Sequence, residues 1–217
     1  MTLARTYLFV PGNRPERFAK ALASSADAVV LDLEDAVAAD AKACARNAVA
    51  DWAAHASAAD LGRAVLRINH AGSAEFDEDC RLLREAGVAG AMLAKAETAQ
   101  QVRQLRTAVP GISVLALIES ARGVANATAV AAAPGVSRLV FRTLDYALDL
   151  DHLDISERSD PLLHAAACLA LASRLADLPA PVAGVTPQID DQARLDGQMV
   201  DRPVVLRAQR LLQRAGA

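Results

Sequence analysis

Aromatic residues make up only 3% of this chain, and its 23 lysines and arginines are outnumbered by 26 aspartates and glutamates, for a formal net charge of −3. Few stacking platforms and no basic field exclude the usual equipment for nucleic acid. The three cysteines, Cys44, Cys80 and Cys168, are odd in number and far apart, so they read as reduced thiols rather than a disulfide or zinc framework. The four histidines, His55, His70, His152 and His164, show no ligand spacing. No long apolar run is present: the longest uncharged window, Val124 to Ser137, is too short to cross a bilayer and contains Asn126, Pro134 and Gly135. With Arg5 so close to the first residue, no secretory apolar core is expected. These absences together predict a cytoplasmic protein with no membrane and no nucleic-acid partner.

What the chain does have is 53% apolar residues over a length of 217, enough for one well-buried core. Short apolar runs alternate with helix-like stretches. Tyr7 to Val10, Ala28 to Leu33, Ala64 to Ile68, Gly90 to Ala94, Val114 to Ile118, the stretch around Leu139, and Pro181 to Ala183 read as strands. Between them, Arg14 to about Ala26, Asp40 to about Ala56, Glu75 to Ala86, Thr98 to Ala108 and Pro161 to Ala176 read as helices, with a last one from about Pro203 to Ala215. Regular alternation means a mainly parallel sheet, either open and doubly wound or closed as a (β/α)8 barrel. Seven strands and no glycine-rich dinucleotide fingerprint after the first favour the barrel, whose usual length is about 250 residues. The fold class is therefore α/β, a TIM-type barrel of about seven strands.

The run Val114-Leu-Ala-Leu-Ile118 stops abruptly at Glu119, and the next strand is followed by Arg142-Thr-Leu-Asp145. Two carboxylates at neighbouring strand mouths can seat a divalent cation, and such a pair with waters suits magnesium better than calcium or zinc. Both acids also have a bland reading, as solvated loop acids or the start of a helix. Charge at a strand end is weak evidence on its own, since a three-residue window holds a charge by chance roughly half the time. Arg67, set among apolar neighbours, is either a recognition group for a carboxylate or enolate or the ion-pair partner of Glu34 or Asp35. Lys95 beside so many acids stays protonated, which favours an electrostatic role over a Schiff base. The loop Pro11-Gly-Asn-Arg14-Pro resembles a phosphate-holding loop only loosely and serves as a plain helix start.

Taken together, Leu8-Phe-Val-Pro-Gly-Asn-Arg-Pro-Glu-Arg-Phe18, Leu31-Asp-Leu-Glu-Asp-Ala-Val37, Leu66-Arg-Ile-Asn69, Leu115-Ala-Leu-Ile-Glu-Ser-Ala-Arg-Gly123 and Thr143-Leu-Asp-Tyr146 resemble the citrate lyase beta-subunit family, within the wider HpcH/HpaI aldolase group. The resemblance implies a TIM barrel with Glu119 and Asp145 as magnesium ligands. It places Arg67 on the substrate, Glu34 and Asp35 as an acidic pair beside it, and Phe9, Arg14 and Lys20 on positions that hold coenzyme A in related malyl-CoA lyases. Residues 1–194 would form the catalytic domain and 195–217 a tail whose Asp201 reaches a neighbouring subunit as the acid/base, in a homo-oligomer such as a trimer or hexamer. The implied reaction is magnesium-dependent cleavage of a 3-hydroxyacyl-CoA thioester into a 2-oxo acid and acetyl-CoA, or its reverse. A metal-dependent aldolase on free hydroxy-oxo acids and a shortened, non-catalytic paralogue are the alternatives. Two features depart from the family pattern. The eighth strand and helix expected between Ala193 and Asp196 are missing, which leaves a sheet edge to be covered, and Arg142 stands where the family usually has glycine.

Overall fold

Each short apolar run becomes a strand in the computed structural model, which describes residues 3–151, 159–183, 194–195 and 198–199. The strands are β1 (Tyr7–Pro11), β2 (Ala28–Asp32), β3 (Ala64–Ile68), β4 (Gly90–Leu93), β5 (Val114–Ile118), β6 (Val136–Phe141) and β7 (Val182–Ala183). They lie side by side in chain order, every neighbouring pair parallel. Such pairs require crossovers, and the helices supply them.

Because successive strand residues point to opposite faces, each strand feeds two cores. Val29, Leu31, Leu66, Ile68, Leu93, Ile118, Leu139 and Phe141 join the helices in the larger one. Val30, Val65, Met92, Leu115, Leu117 and Val140 form a second cluster on the other face. Every residue of β2, β3, β4 and β5 is buried as a result, which is why these strands show no alternation in sequence. Each such aliphatic side chain contributes roughly 1.5–3 kcal/mol of burial.

Tyr7 of β1 and Val182 of β7 both pack on that second cluster, so the sheet curls until its two edge strands face a common interior. A register shift between Val114 and Leu115 pairs Leu115 with Arg138, skipping Ser137. Arg138 and Val140 thereby face inward. The buried Arg138 guanidinium donates to the carbonyls of Ala4 and Ala180, which lie just ahead of β1 and β7. This clasp holds the two edges of the curl together at its base.

The helices are α1 (Phe18–Leu22), α2 (Lys42–His55), α3 (Ala58–Leu61), α4 (Phe76–Ala86), α5 (Ala99–Ala108), α6 (Ala121–Ala125), α7 (Ala127–Ala131), α8 (Thr143–Asp149) and α9 (Asp160–Leu175). The helix expected from Arg14 to Ala26 is instead a 3-10 turn at Pro15–Arg17 followed by the five residues of α1. Ser24 accounts for the early stop: its hydroxyl donates to the Ala21 carbonyl at 2.6 Å, offering the backbone an alternative to another turn. At α5, Thr98 and Gln101 form a reciprocal capping box, worth about 1 kcal/mol at the N-terminus. Among the described residues seven strands form the sheet, in keeping with the expected shortened barrel. A separate antiparallel pair, β8 (Arg194–Leu195) and β9 (Gln198–Met199), is the last element seen. The expected final helix, and most of the tail from 195 onward with Asp201, lie outside the described residues.

Candidate active site at the strand ends

The inward-facing positions that continue Val30, Val65, Leu117 and Val140 by one alternation are Asp32, Arg67, Glu119 and Arg142. Parity alone thus brings four charged side chains to the carboxyl end of the sheet, the face where barrel enzymes carry their chemistry.

Asp32 and Arg67 are 1% and 2% exposed and form a forked pair, Nε to Oδ1 at 2.8 Å and the second guanidinium nitrogen to Oδ2 at 2.5 Å. Asp32 also accepts from the backbone N–H groups of Glu34 at 2.8 Å and Ala36 at 3.2 Å, so the loop after β2 and the β3 arginine are locked to one carboxylate. Gly12 permits the neighbouring loop to close over this point. Its N–H donates to the Asp32 carbonyl at 2.7 Å, and a Cβ there would meet that oxygen at 2.8 Å. From the other side Lys42 Nζ donates to the carbonyls of Leu33 and Glu34, each at 2.7 Å, and to Asn69 Oδ1 at 3.1 Å.

Arg67 keeps one nitrogen in reserve. Its Nη1 is 3.1 Å from Glu34 Oε2 and 3.8 Å from Asp35 Oδ2, yet it has no aligned hydrogen bond. Burial alone would lower the affinity of Arg67 for its proton, but Asp32, Glu34 and Glu119 more than offset this and raise its pKa. The guanidinium also lies over the Phe9 ring, 5.4 Å from its centroid, and that ring is 41% exposed.

Lys95, just past β4, adopts a left-handed backbone with φ of +49°, an uncommon conformation outside glycine. This aims its N–H at Glu119 Oε1, 2.8 Å away, while its Nζ pairs with Glu34 Oε1 at 3.2 Å. Burial would depress the amine, but Glu34, Asp35 and Glu119 hold its pKa above the ordinary value. It is charged, as the sequence implied.

Glu119 is 4% exposed, and its second oxygen, Oε2, is buried without a hydrogen bond. Burial pushes its pKa to about 7, with the carboxylates of Asp145 and Glu34 adding to the effect of burial and Arg142 and Arg67 opposing it. Asp145, in the first turn of α8, comes within 2.6 Å of Arg142 Nε. Arg142 Nη1 is 3.1 Å from Asp35 Oδ2 and 3.7 Å from Glu119 Oε2. Burial alone would raise the pKa of Asp35, but Glu34, Arg67 and Arg142 hold it below the usual range.

The mouth therefore collects five carboxylates, Asp32, Glu34, Asp35, Glu119 and Asp145, against three cations that pair with them directly, Arg67, Lys95 and Arg142, and a fourth, Lys42, held on the loop carbonyls behind them. Acids outnumber bases by one. An all-protein cage is not available, since no three ligand-type side chains cluster suitably among the described residues. Magnesium asks for less, being held by one or two carboxylates with the remaining positions filled by water or substrate. Hard oxygen donors and a buried Glu119 Oε2 with no hydrogen bond fit such an ion.

Eight of the residues singled out in the sequence meet here: Phe9, Glu34, Asp35, Arg67, Lys95, Glu119, Arg142 and Asp145. Arg14 instead pairs with Glu16 at 2.6 Å in solvent, and Lys20 is exposed on α1. Sequence reasoning passed over Asp32, the main partner of Arg67. The available signal was its two-residue spacing from Val30, which puts it on the inner face. It also missed the Lys42 and Asn69 props, because long-range contacts to main-chain carbonyls leave no local pattern.

The family model described as HpcH/HpaI aldolase/citrate lyase matches residues 5–198. A citrate lyase subunit beta-like protein of Mycobacterium tuberculosis is 46% identical over 127 residues, 58% of this chain and 43% of that protein. A (3S)-malyl-CoA thioesterase of Cereibacter sphaeroides is 32% identical over 148 residues, 67% of this chain and 51% of that protein. The chain thus spans about half the length of these relatives. Among solved structures, protein CitE from Mycobacterium tuberculosis in complex with magnesium, acetoacetate and coenzyme A superposes with a TM-score of 0.71 at 29% identity, covering 100% of both chains.

Proposed function

The chain belongs to the HpcH/HpaI aldolase/citrate lyase family, and we propose that it is a magnesium-dependent carbon–carbon lyase acting on a 3-hydroxyacyl-CoA thioester of the malyl, citramalyl or citryl type. The observation that carries this reading is the acid-rich mouth, five carboxylates gathered around a buried Glu119 oxygen with no hydrogen bond. The similar CitE structure, with magnesium, acetoacetate and coenzyme A together, supports it.

Glu119 and Asp145 would hold the metal, which supplies a Lewis acid for the substrate hydroxyl and its adjacent carboxylate. In the cleavage direction the hydroxyl loses its proton, its carbon becomes the carbonyl of a 2-oxo acid, and the bond to the neighbouring methylene breaks. The electron pair passes to the thioester as an enolate, and the proton given up by the hydroxyl is matched by one gained at that methylene carbon, which makes acetyl-CoA. Arg67 is the group for that enolate: Asp32 fixes its fork, and Nη1 remains available to donate to the developing oxyanion. Glu34 and Asp35 hold Lys95 and the two arginines in place around it. Phe9, Arg14 and Lys20 would receive the coenzyme A portion, and Asp201 from a neighbouring copy in a cytoplasmic homo-oligomer would exchange the proton at carbon.

A second reading, thioester hydrolysis, is favoured by the malyl-CoA thioesterase relative. Product analysis separates the two. A magnesium-supplemented panel of malyl-, citramalyl- and citryl-CoA should yield acetyl-CoA and a 2-oxo acid, and Glu119→Gln should lower kcat/KM at least about a hundredfold. Free coenzyme A with the intact hydroxy acid would instead establish the hydrolase, and turnover of neither kind would remove both readings.

A further inference from the structure

We propose that the Arg142 guanidinium is a resident cation that competes with a divalent metal for Glu119 and Asp145, and steps aside onto Asp35 when the metal binds. This inference rests on the reading of Glu119 and Asp145 as the metal ligands.

The geometry that carries it is the placing of one guanidinium between the two acids. Arg142 Nε is 2.6 Å from Asp145 Oδ2 and its Nη1 is 3.7 Å from Glu119 Oε2. A metal held by those carboxylates would claim the oxygens this guanidinium faces. The main chain of Arg142 is tied down. Its N–H donates to the Ile118 carbonyl at 3.0 Å, which ties the end of β6 to β5. The side chain is 17% exposed and already reaches a third acid, with Nη1 3.1 Å from Asp35 Oδ2. Rotation about the side-chain bonds can therefore release Glu119 and Asp145 while the Asp35 contact is kept.

Geometry favours displacement within the mouth over expulsion into solvent, because Asp35 already holds Nη1. The cost of separating the guanidinium from two acids falls on metal affinity, so this chain binds its metal more weakly than the same fold without that cation. It also makes metal occupancy and the position of Arg142 one coupled equilibrium, in which an anionic ligand able to take over the displaced guanidinium tightens metal binding.

Manganese(II) binding to the full-length chain, read by the loss of the free-ion paramagnetic resonance signal, tests this without turnover. The variants are Arg142→Met, Arg142→Lys and Glu119→Gln, each checked for native circular dichroism. Arg142→Met should bind manganese at least tenfold more tightly than the parent, Arg142→Lys should stay within about threefold of the parent because it keeps the charge, and Glu119→Gln should lose binding in either background. Should Arg142→Met fail to fold, Arg142→Gln takes its place with the same expectation. Equal affinity in parent and Arg142→Met, or an equal gain in Arg142→Lys, overturns the competition while leaving the metal site standing. Binding that survives Glu119→Gln, or no binding in Arg142→Met, removes the metal site itself and this inference with it.

Discussion

The curled sheet has an interior with two ends, and each end buries arginine in a different way. At the base, Arg138 is surrounded by main chain: its donors meet the carbonyls of Ala4 and Ala180, both geometrically satisfied, and the result is a closed clasp between β1 and β7. At the mouth, Arg67 and Arg142 stand among carboxylates, and the accounts stay open, with Arg67 Nη1 and Glu119 Oε2 buried but lacking hydrogen bonds. A buried polar group left unsatisfied costs stability, so a fold tolerates it where a ligand completes the network. The base is built to hold the barrel together. The mouth is built to receive something.

Breaking the mouth should have the largest effect. Arg67→Met leaves Asp32 and Glu34 buried without their partner, and removing one member of such a buried pair costs roughly 3–5 kcal/mol. Urea denaturation should show the midpoint fall accordingly, and a change under about 1 kcal/mol would mean the mouth is far wetter than its burial indicates.

The second test turns the sign around. In the metal-free protein Glu119 has a pKa of about 7, against 4.5 for an ordinary glutamate, so the folded state holds that proton more tightly than the unfolded one. Its contribution is therefore fully present at low pH and turns unfavourable as pH rises from about 4.5 through 7. Glu119→Gln keeps the acceptor for the Lys95 N–H and should stabilise the metal-free protein at pH 8 by up to about 3 kcal/mol. Stability profiles of the two proteins should converge near pH 4; parallel profiles would show that Glu119 is not the strained group.

The smallest effect belongs to the base. Arg138→Met removes donors from two carbonyls but also removes a buried charge, for a net loss of about 1–2 kcal/mol. Manganese affinity should be unchanged, since nothing at the base touches the mouth. A drop in metal binding equal to that of a mouth variant would dissolve the distinction between the two ends.

Much of this was legible beforehand. Strands β1 to β5 stand within a residue or two of their apolar runs, and for β2 to β5 the reason is that runs buried on both faces need no tertiary information to be recognised. Glu119 and Asp145 were readable as acids following such runs. Arg67 was readable as a buried cation with an acidic partner, though its chief partner proved to be Asp32 rather than Glu34 or Asp35, which are further from it. The register shift in β5 and β6, which sends Arg138 to the base and Arg142 to the mouth, was not readable. Neither its position nor its direction leaves a mark in a run of apolar residues.

By itself the sequence determined the alternation of strand and helix, the parallel order, and which acids stand at strand ends, since all three follow from local periodicity and composition. Only the tertiary structure decided how those charges are shared: that Asp32 claims Arg67, that Glu119 is left with an oxygen lacking a hydrogen bond, and that Arg142 reaches both proposed metal ligands. The reason is distance along the chain. These partners come from separate strands, and which carboxylate meets which guanidinium depends on ångström-scale registry between strands that no local pattern specifies.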